Sequence, residues 1–549
     1  MTRPCTGVQT SALWNGVPAH RLRCSIVQYI ALIGVIGALT ILGCGGGSNK
    51  FSGVTQDHLA NRAFTFPTGA GAILSKAPCG PQDQGPCGLG LPQGQAFTFQ
   101  FGNFGGTSTA PVRLDSNGST ATGTVTLAFN AVSGKTVTTC TFQFNQSTFP
   151  ANGGPQASSQ FTSNPCEFDQ DHNTMRLTPA PGETEVSAPF IALPTTNVAF
   201  VLTSGVAATG SYSVVDLTSR FVFKDISPGG VDSAIAVGSD ARARFFNGRV
   251  YVINGLGVDN IRILDPQQGF TIAATNGTLL VDSGSDPQDI AFVNTTKAYV
   301  SRLHSARLLI INPITLTRLG ELDLSSLTKL NDSDGSPDPA FMLVHNGLVY
   351  VILRHIDFNT LVEVANGEVV VIDPTNDRIL TKLQLHAKNP ESELQFSPTL
   401  NRILVSSVGN LAGANGGLND GGIDAINPDT NTVDPQFVVD EATMGGDITA
   451  FALSSRIQGF AVVHGANATY SLVTFNPSTG QHLHNIVGPL NVPLSHVAIN
   501  SRNEVYLAVA DTHTSTPGLR IFDAITESEI TTTPLNVGVL PPAFILFIE

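Results

Sequence analysis

The residues able to do chemistry are few and dispersed. The densest set of oxygen ligands is Asn331-Asp332-Ser333-Asp334-Gly335-Ser336-Pro337-Asp338. Alternating Asp side chains on a flexible loop can supply several of the roughly six to eight oxygens that calcium takes, which makes Asp332, Asp334 and Asp338 candidate metal ligands. The EF-hand pattern fails, with Pro337 where its glycine belongs and Leu343 where its terminal glutamate belongs, so a plain polar turn competes with the metal reading. A second group, His304, Arg354, His355, His464, Asp511 and His513, falls at or just after apolar, β-branched segments. Brought together, such side chains could hold an anion, a metal or a polar ligand; apart, they are solvated loop residues. His172 beside Asp169 and Asp171 reads as a solvated turn. No GxSxG, HExxH or paired-carboxylate arrangement is fixed by the sequence, and Gly-rich Leu411 to Gly422 has no Lys-Ser/Thr for phosphate. No organic cofactor is expected, and Ca2+ is the one candidate ion.

Composition narrows the class. Hydrophobic residues at 42% and charged residues at 13% allow a well-packed interior. Abundant Thr, Gly and Asn among Val and Ile favours an all-β protein. A net charge of -14 argues against nucleic acid, which is not an expected partner. At 549 residues, more than one folded part is required.

Arg21 and Arg23 precede a nearly unbroken apolar stretch, Ile26 to Leu42, which ends in Gly43-Cys44 and a Gly-rich run. This resembles the bacterial lipoprotein signal, although Ile41 stands where that family prefers Leu. The resemblance implies a signal peptide over 1–43, lipidation of Cys44, a tether over 44–59 and an extracytoplasmic protein anchored to the cell envelope. Gly45 is not the Asp that retains such proteins at the inner membrane, so the resemblance points to the outer membrane. An uncleaved anchor and a plain secretory signal are the alternatives. Cys79, Cys87, Cys140 and Cys166 then form an even set in an oxidising compartment, paired most simply as Cys79–Cys87 and Cys140–Cys166 among three possible pairings. No His or CxxC set supports zinc instead.

The elements that must position these residues come in two parts. Over 60–190, Ala63-Phe64-Thr65-Phe66, Ala96 to Phe101, Thr124 to Phe129 and Thr141 to Phe144 alternate with period two, predicting a small disulfide-containing antiparallel β-sandwich or barrel. Over 191–549 an apolar strand ending in Asp or Asn recurs seven times, at Asp216, Asp265, Asn312, Asp373, Asn427, Asn476 and Asp523. The spacings of 49, 47, 61, 54, 49 and 47 residues suit four-stranded propeller blades. Val250-Tyr251-Val252, Ala298-Tyr299-Val300, Val349-Tyr350-Val351 and Val505-Tyr506-Leu507 recur as the second strand of a blade. These motifs resemble the YVTN-type β-propeller repeat family, from about Val198 to the end. Pro542 to Leu546 looks like a first strand with nothing behind it, and Val198 to Phe223 like three strands with no first. The terminal strand is therefore expected to complete blade 1 and close a seven-bladed ring.

In that topology the loops after each second strand and before each first strand share one face, which places the His, Arg and Asp group there. The leading functional reading is a non-enzymatic module binding a protein or polymer through this face, with a lipid anchor as its contact with the membrane. The alternative is a metal-dependent hydrolase or lyase of the lactonase type, for which Asp289, Glu393, Asp447 and His496 begin or adjoin first strands. A structural role in an envelope assembly is the third reading. The only Trp, Trp14, lies in the signal, which weakens quinoprotein and sugar-stacking readings.

Overall fold

The computed structural model describes residues 51–53, 56–67, 95–116, 119–129, 137–147, 160–163, 166–169, 174–178, 186–204, 210–226, 237–273, 275–410, 419–510 and 517–549. Within them, all seven repeated Asp or Asn side chains fold their own chain back. Asp216 Oδ1 accepts from the amides of Thr218 and Ser219, Asn312 Oδ1 from Ile314 and Thr315, and Asp523 Oδ1 from Ile525 and Thr526. Asp265, Asp373, Asn427 and Asn476 each accept from the amide two residues on. These side chains replace backbone partners in a tight turn, and the following Pro, where present, presets φ. The result is an antiparallel hairpin between the third and fourth strands of blades 1 to 6, and in blade 7 a turn closed by an isolated bridge.

Seven sheets follow from seven turns. Their first strands are Pro542–Ile548, Arg242–Phe246, Pro287–Asn294, Pro339–His345, Gln395–Ser397, Asp447–Leu453 and Leu494–Ile499, for blades 1 to 7 in order. Second strands such as Arg249–Asn254, Leu348–Leu353 and Glu504–Val509 are buried on both faces, hence their continuous apolar runs. Blade 7 has three full strands, and isolated bridges at Leu535 and Glu529 finish its outer edge. Blade 1 is closed as expected: Val198–Thr203 pairs antiparallel with Pro542–Ile548, in register from Val198↔Ile548 to Leu202↔Phe544, with a shift before Thr203↔Pro542. The fold is a seven-bladed β-propeller.

The repeated tyrosines tie blade to blade. Each ring is fully buried, and its hydroxyl reaches the turn of the next blade. Tyr251 donates to the Pro313 carbonyl at 3.1 Å, Tyr350 to Asn431 Oδ1 at 2.7 Å and Tyr299 to Asp377 Oδ1. Tyr506 accepts from Arg220 in the turn of blade 1, carrying the pattern across the closure. Tyr suits this place because its ring packs while its hydroxyl keeps a partner. Phe200, Leu404 and Phe460 stand at the same register in blades 1, 5 and 6; in blade 1 the clasp comes instead from Tyr212 on the third strand, which donates to the Phe270 carbonyl in the turn of blade 2 at 2.6 Å.

The preceding segment forms one continuous ten-stranded antiparallel sheet rather than two separate ones. Val186–Ala192 is its hinge, pairing with both Thr174–Leu177 and Arg62–Phe66, and it runs past the expected boundary at 190. The two halves enclose a phenylalanine-rich core that includes Phe64, Phe66, Phe99, Phe142, Phe161 and Phe168. The Cys140–Cys166 disulfide joins them, with a Cα–Cα separation of 5.7 Å. Cys44, Cys79 and Cys87 lie outside the described residues. This sheet is docked to the propeller: the Gln100 amide donates to the Lys224 carbonyl and accepts from the Lys224 amide, both at 2.8 Å. Ala63 is buried in the propeller cluster of Phe200 and Tyr212. Gly269, at φ +70°, lies against Asn61, where any Cβ would collide with the side-chain amide.

The clasp predicts that Tyr350→Phe lowers unfolding free energy by about 1 kcal/mol, the net worth of one buried hydrogen bond. In chemical denaturation the loss should be non-additive with Asn431→Ala. Additive losses would mean that the hydroxyl does not tie the two blades.

Candidate functional site

First strands run along the propeller axis, so their side chains meet there. Arg244 of blade 2 grips Asp289 of blade 3 bidentately, Nε to Oδ1 at 2.8 Å and Nη2 to Oδ2 at 2.9 Å. Its Nη1 reaches Glu393 of blade 5. Asp289 is fully buried and also accepts from the amides of Ile290 and Met342 at 2.8 Å. Burial would raise the Glu393 carboxyl, but the Arg244 guanidinium and the His496 imidazole outweigh it and hold the group well below the usual carboxylate range. Burial would likewise lower Arg244, and the two carboxylates hold it raised instead. Arg244 thus bridges both carboxylates, and burial leaves Asp289 raised despite it.

At the first-strand start, Arg242 faces a cavity of 380 Å³ lined also by Glu391, Gln395, His464, Tyr470 and His496. Its guanidinium lies 5.7 Å from the ring centres of both Phe341 and Phe544, a cation–π clamp from blades 4 and 1. It donates from Nη1 to the carbonyls of Asp240 and Ala241, which leaves Nε and Nη2 for a ligand. The His464 ring stacks on Tyr470 at 4.5 Å, and its Nε2 is buried without a partner among the described residues. His496 packs on Phe544 at 4.6 Å, with Nε2 3.9 Å from Glu393 Oε2 and Nδ1 unpartnered on the same terms. The cavity therefore offers a fixed cation, two imidazoles and one exposed carboxylate, Glu391. That arrangement can exchange hydrogen bonds and charge with a polar group.

Of the described residues expected on this face, His464 alone lines the cavity. His304 is exposed, its Nδ1 3.3 Å from the Gly284 carbonyl and its ring against Phe358. Arg354 donates to Asn389 Oδ1. His355, at φ +55°, turns inward, is 0% exposed and contacts Glu368 Oε2 at 3.1 Å, so it packs rather than presents itself. Asp511 and His513 lie outside the described residues. Arg242, Glu391 and Tyr470 were not singled out in the sequence. For Arg242 and Glu391 the signal was a polar side chain at a blade's first-strand start, which had marked Glu393 and His496; Tyr470 lies in the third strand of blade 6 and carried no such signal.

The acidic loop gathers differently from its sequence order. Asp332, Asp334 and Asp357 bring carboxylate oxygens within 4.8 Å of one another. Asp357 comes from the small hairpin Ile356–Asp357 and Val362–Glu363, which sits in the long loop after the second strand of blade 4. Asp338 is not in that group: it is buried, and its Oδ2 anchors the hairpin by accepting from the Ile356 amide at 2.7 Å. Burial, with Asp334 beside it, pushes Asp332 up to about 6, and burial chiefly pushes Asp338 up to about 8.

A carboxyl pair lies on the same face. A Cβ on Gly255 would come within 2.3 Å of both Asp240 Oδ2 and Asp286 Oδ1, so glycine is what lets the two approach. Burial and then the Asp240 charge push Asp286 up to about 7. Its unfolded value is near 3.9, so between about pH 4 and 7 the folded chain holds the extra proton and stability falls as pH rises. Asp286→Asn, whose amide can donate to Asp240 as the protonated acid does, should remove that fall. At pH 8 it should be the more stable protein by about 1–2 kcal/mol, after discounting for solvent screening. Parallel melting curves for the two proteins from pH 4 to 8 would refute the pair.

Fold and site together define a β-propeller with a polar cavity at one mouth of its channel. No protein-family model and no curated protein sequence matches the chain. Among solved structures, a streptogramin B lyase is similar at 12% identity over 58% of this chain and 92% of its own, with a TM-score of 0.38. PorZ of Porphyromonas gingivalis, described as a surface component of the type-IX secretion system, matches at 12% over 77% and 62%, with a TM-score of 0.37. The WD40 repeats of RRP9 match at 12% over 54% and 84%, with a TM-score of 0.35.

Proposed function

We propose that this protein is an extracytoplasmic, lipid-anchored binding module that takes a segment of a protein or polymer at the channel mouth. One observation carries the reading. Arg242 is clamped by Phe341 and Phe544 over a cavity where His464 Nε2 and His496 Nδ1 lack partners among the described residues, while the acids beneath are already paired with Arg244. Such a place is prepared to form hydrogen bonds to a polar group. The Arg21 to Cys44 sequence supports the anchor and the compartment.

A photo-cross-linking amino acid at position 470, in envelopes of expressing cells, should give a discrete adduct that Arg242→Gln removes and that stays with the membrane fraction only while Cys44 is intact. An adduct pattern equal to that from position 319, exposed on the outer strand of blade 3, would sink the proposal.

The Asp332, Asp334 and Asp357 group is the position we assign to Ca2+, supported by the two buried Asp332 oxygens that have no partner among the described residues. Metal analysis of purified protein should find calcium that Asp334→Asn releases, and no transition metal that His496→Ala releases. A tightly held ion lost with His496 would favour the hydrolase or lyase reading.

A further inference from the structure

A second cavity, of 750 Å³, lies where the ten-stranded sheet meets the outer strands of blades 1 and 2. Ligand pockets of about 300–1,000 Å³ concentrate at such junctions. Phe101, Pro111 and Val112 line it from the sheet, and Leu193, Phe223 and Ile226 from the propeller. Thr109, Thr122, Thr124 and Asn103 add hydroxyls and an amide without charge.

The charges at this cleft cancel. Arg113 donates from Nε to both oxygens of Asp115, at 3.0 and 2.9 Å, and from Nη1 to Asp225. Lys224 Nζ lies 3.7 Å from Asp115 Oδ1. Two cations thus face two carboxylates. Arg113 nevertheless keeps one unmet need: it is 6% exposed, and its Nη2 is buried with no partner among the described residues. A buried guanidinium N–H without an acceptor is costly, and because Nη2 is closed off from solvent, a small turn of the Arg113 side chain must bring it to an oxygen in the cleft. A carboxylate would bring its own charge beside Asp115 and Asp225 with no spare cation to match it. A neutral oxygen brings only the hydrogen bond.

We infer that this cleft binds an uncharged amphipathic molecule, with an apolar body along the Phe and Val walls and an ester, carbonyl or hydroxyl oxygen toward Arg113. The site is separate from the channel mouth and does not rest on the reading given to it.

Nile red titrated into the full-length protein reads the cleft directly. One saturable site per chain is expected, from which 1-monooleoylglycerol displaces the dye and oleate does so about tenfold less well, the carboxylate losing hydration without gaining a counter-ion. Thr124→Trp, from a half-buried strand position on the lining, should weaken dye binding about tenfold by filling space at unchanged melting temperature. Thr122→Phe serves if Thr124→Trp unfolds the sheet, and Leu319→Trp on blade 3 should leave binding as it was. Equal displacement by oleate, or binding that ignores the cleft variants, or no saturable site overturns the inference.

Discussion

The hydrogen bonds between Val198–Thr203 and Pro542–Ile548 join segments that lie at opposite ends of the propeller sequence, and the rest of the molecule depends on them. Until they form, blade 1 lacks its axial strand, and both ends of the ring present open sheet edges. Closing so long a loop costs entropy that the completed ring returns. The same strand also builds the site. Phe544, two residues into it, is one of the two rings that clamp Arg242 and the surface on which His496 packs. The channel-mouth cavity therefore exists only in a closed ring. A binding surface made this way is a property of the whole toroid and of no single blade.

What holds neighbouring blades in phase is a coupling between two sequence motifs. The Asp or Asn turn shapes the edge of one blade, and the tyrosine of the blade before it reaches across to that turn, as Tyr251 does to Pro313 and Tyr350 to Asn431. Both motifs are local, recur at nearly fixed spacing and need particular residue types, which is why blade number and closure were legible in the sequence. The site was much less so. Arg242, Glu391, Tyr470 and His496 come from four blades and share no local pattern, because convergence at an axis leaves no periodic trace beyond one polar side chain per strand start. Loop-based reasoning failed for His355, whose positive φ turns the ring inward onto Glu368. It also missed Asp357, which joins Asp332 and Asp334 only through the fold of a loop some twenty residues farther on. Periodic, backbone-determined features are written in the sequence; side-chain direction at an irregular loop is not.

The smaller sheet shows how the two parts become one body. Its contacts with the propeller are mostly directional: the Gln100 amide completes both backbone groups of Lys224, and Arg113 meets Asp225. Ala63 inserts into the propeller core beside Phe200 and Tyr212, and Ile191 packs against the same cluster. Directional contacts fix orientation with little buried area, and they leave the apolar cleft unfilled between them. The Cys140–Cys166 link meanwhile fixes the sheet internally, where its two halves enclose the phenylalanine core.

The axial ion network bears on how the channel mouth can work. Arg244, Asp289 and Glu393 belong to blades 2, 3 and 5, and Asp289 also accepts from the Met342 amide of blade 4. Separating a buried ion pair leaves an uncompensated charge, at a cost on the order of 3–5 kcal/mol. These blades therefore cannot move apart at the axis to admit or enclose a ligand. The cavity above them is preorganised, with Arg242 held between two rings and His464 stacked on Tyr470. Affinity there must come from groups that the ligand itself brings to waiting donors, not from closure of the protein around it. A rigid mouth of this kind suits recognition of a segment presented by a larger partner, since only the segment has to fit.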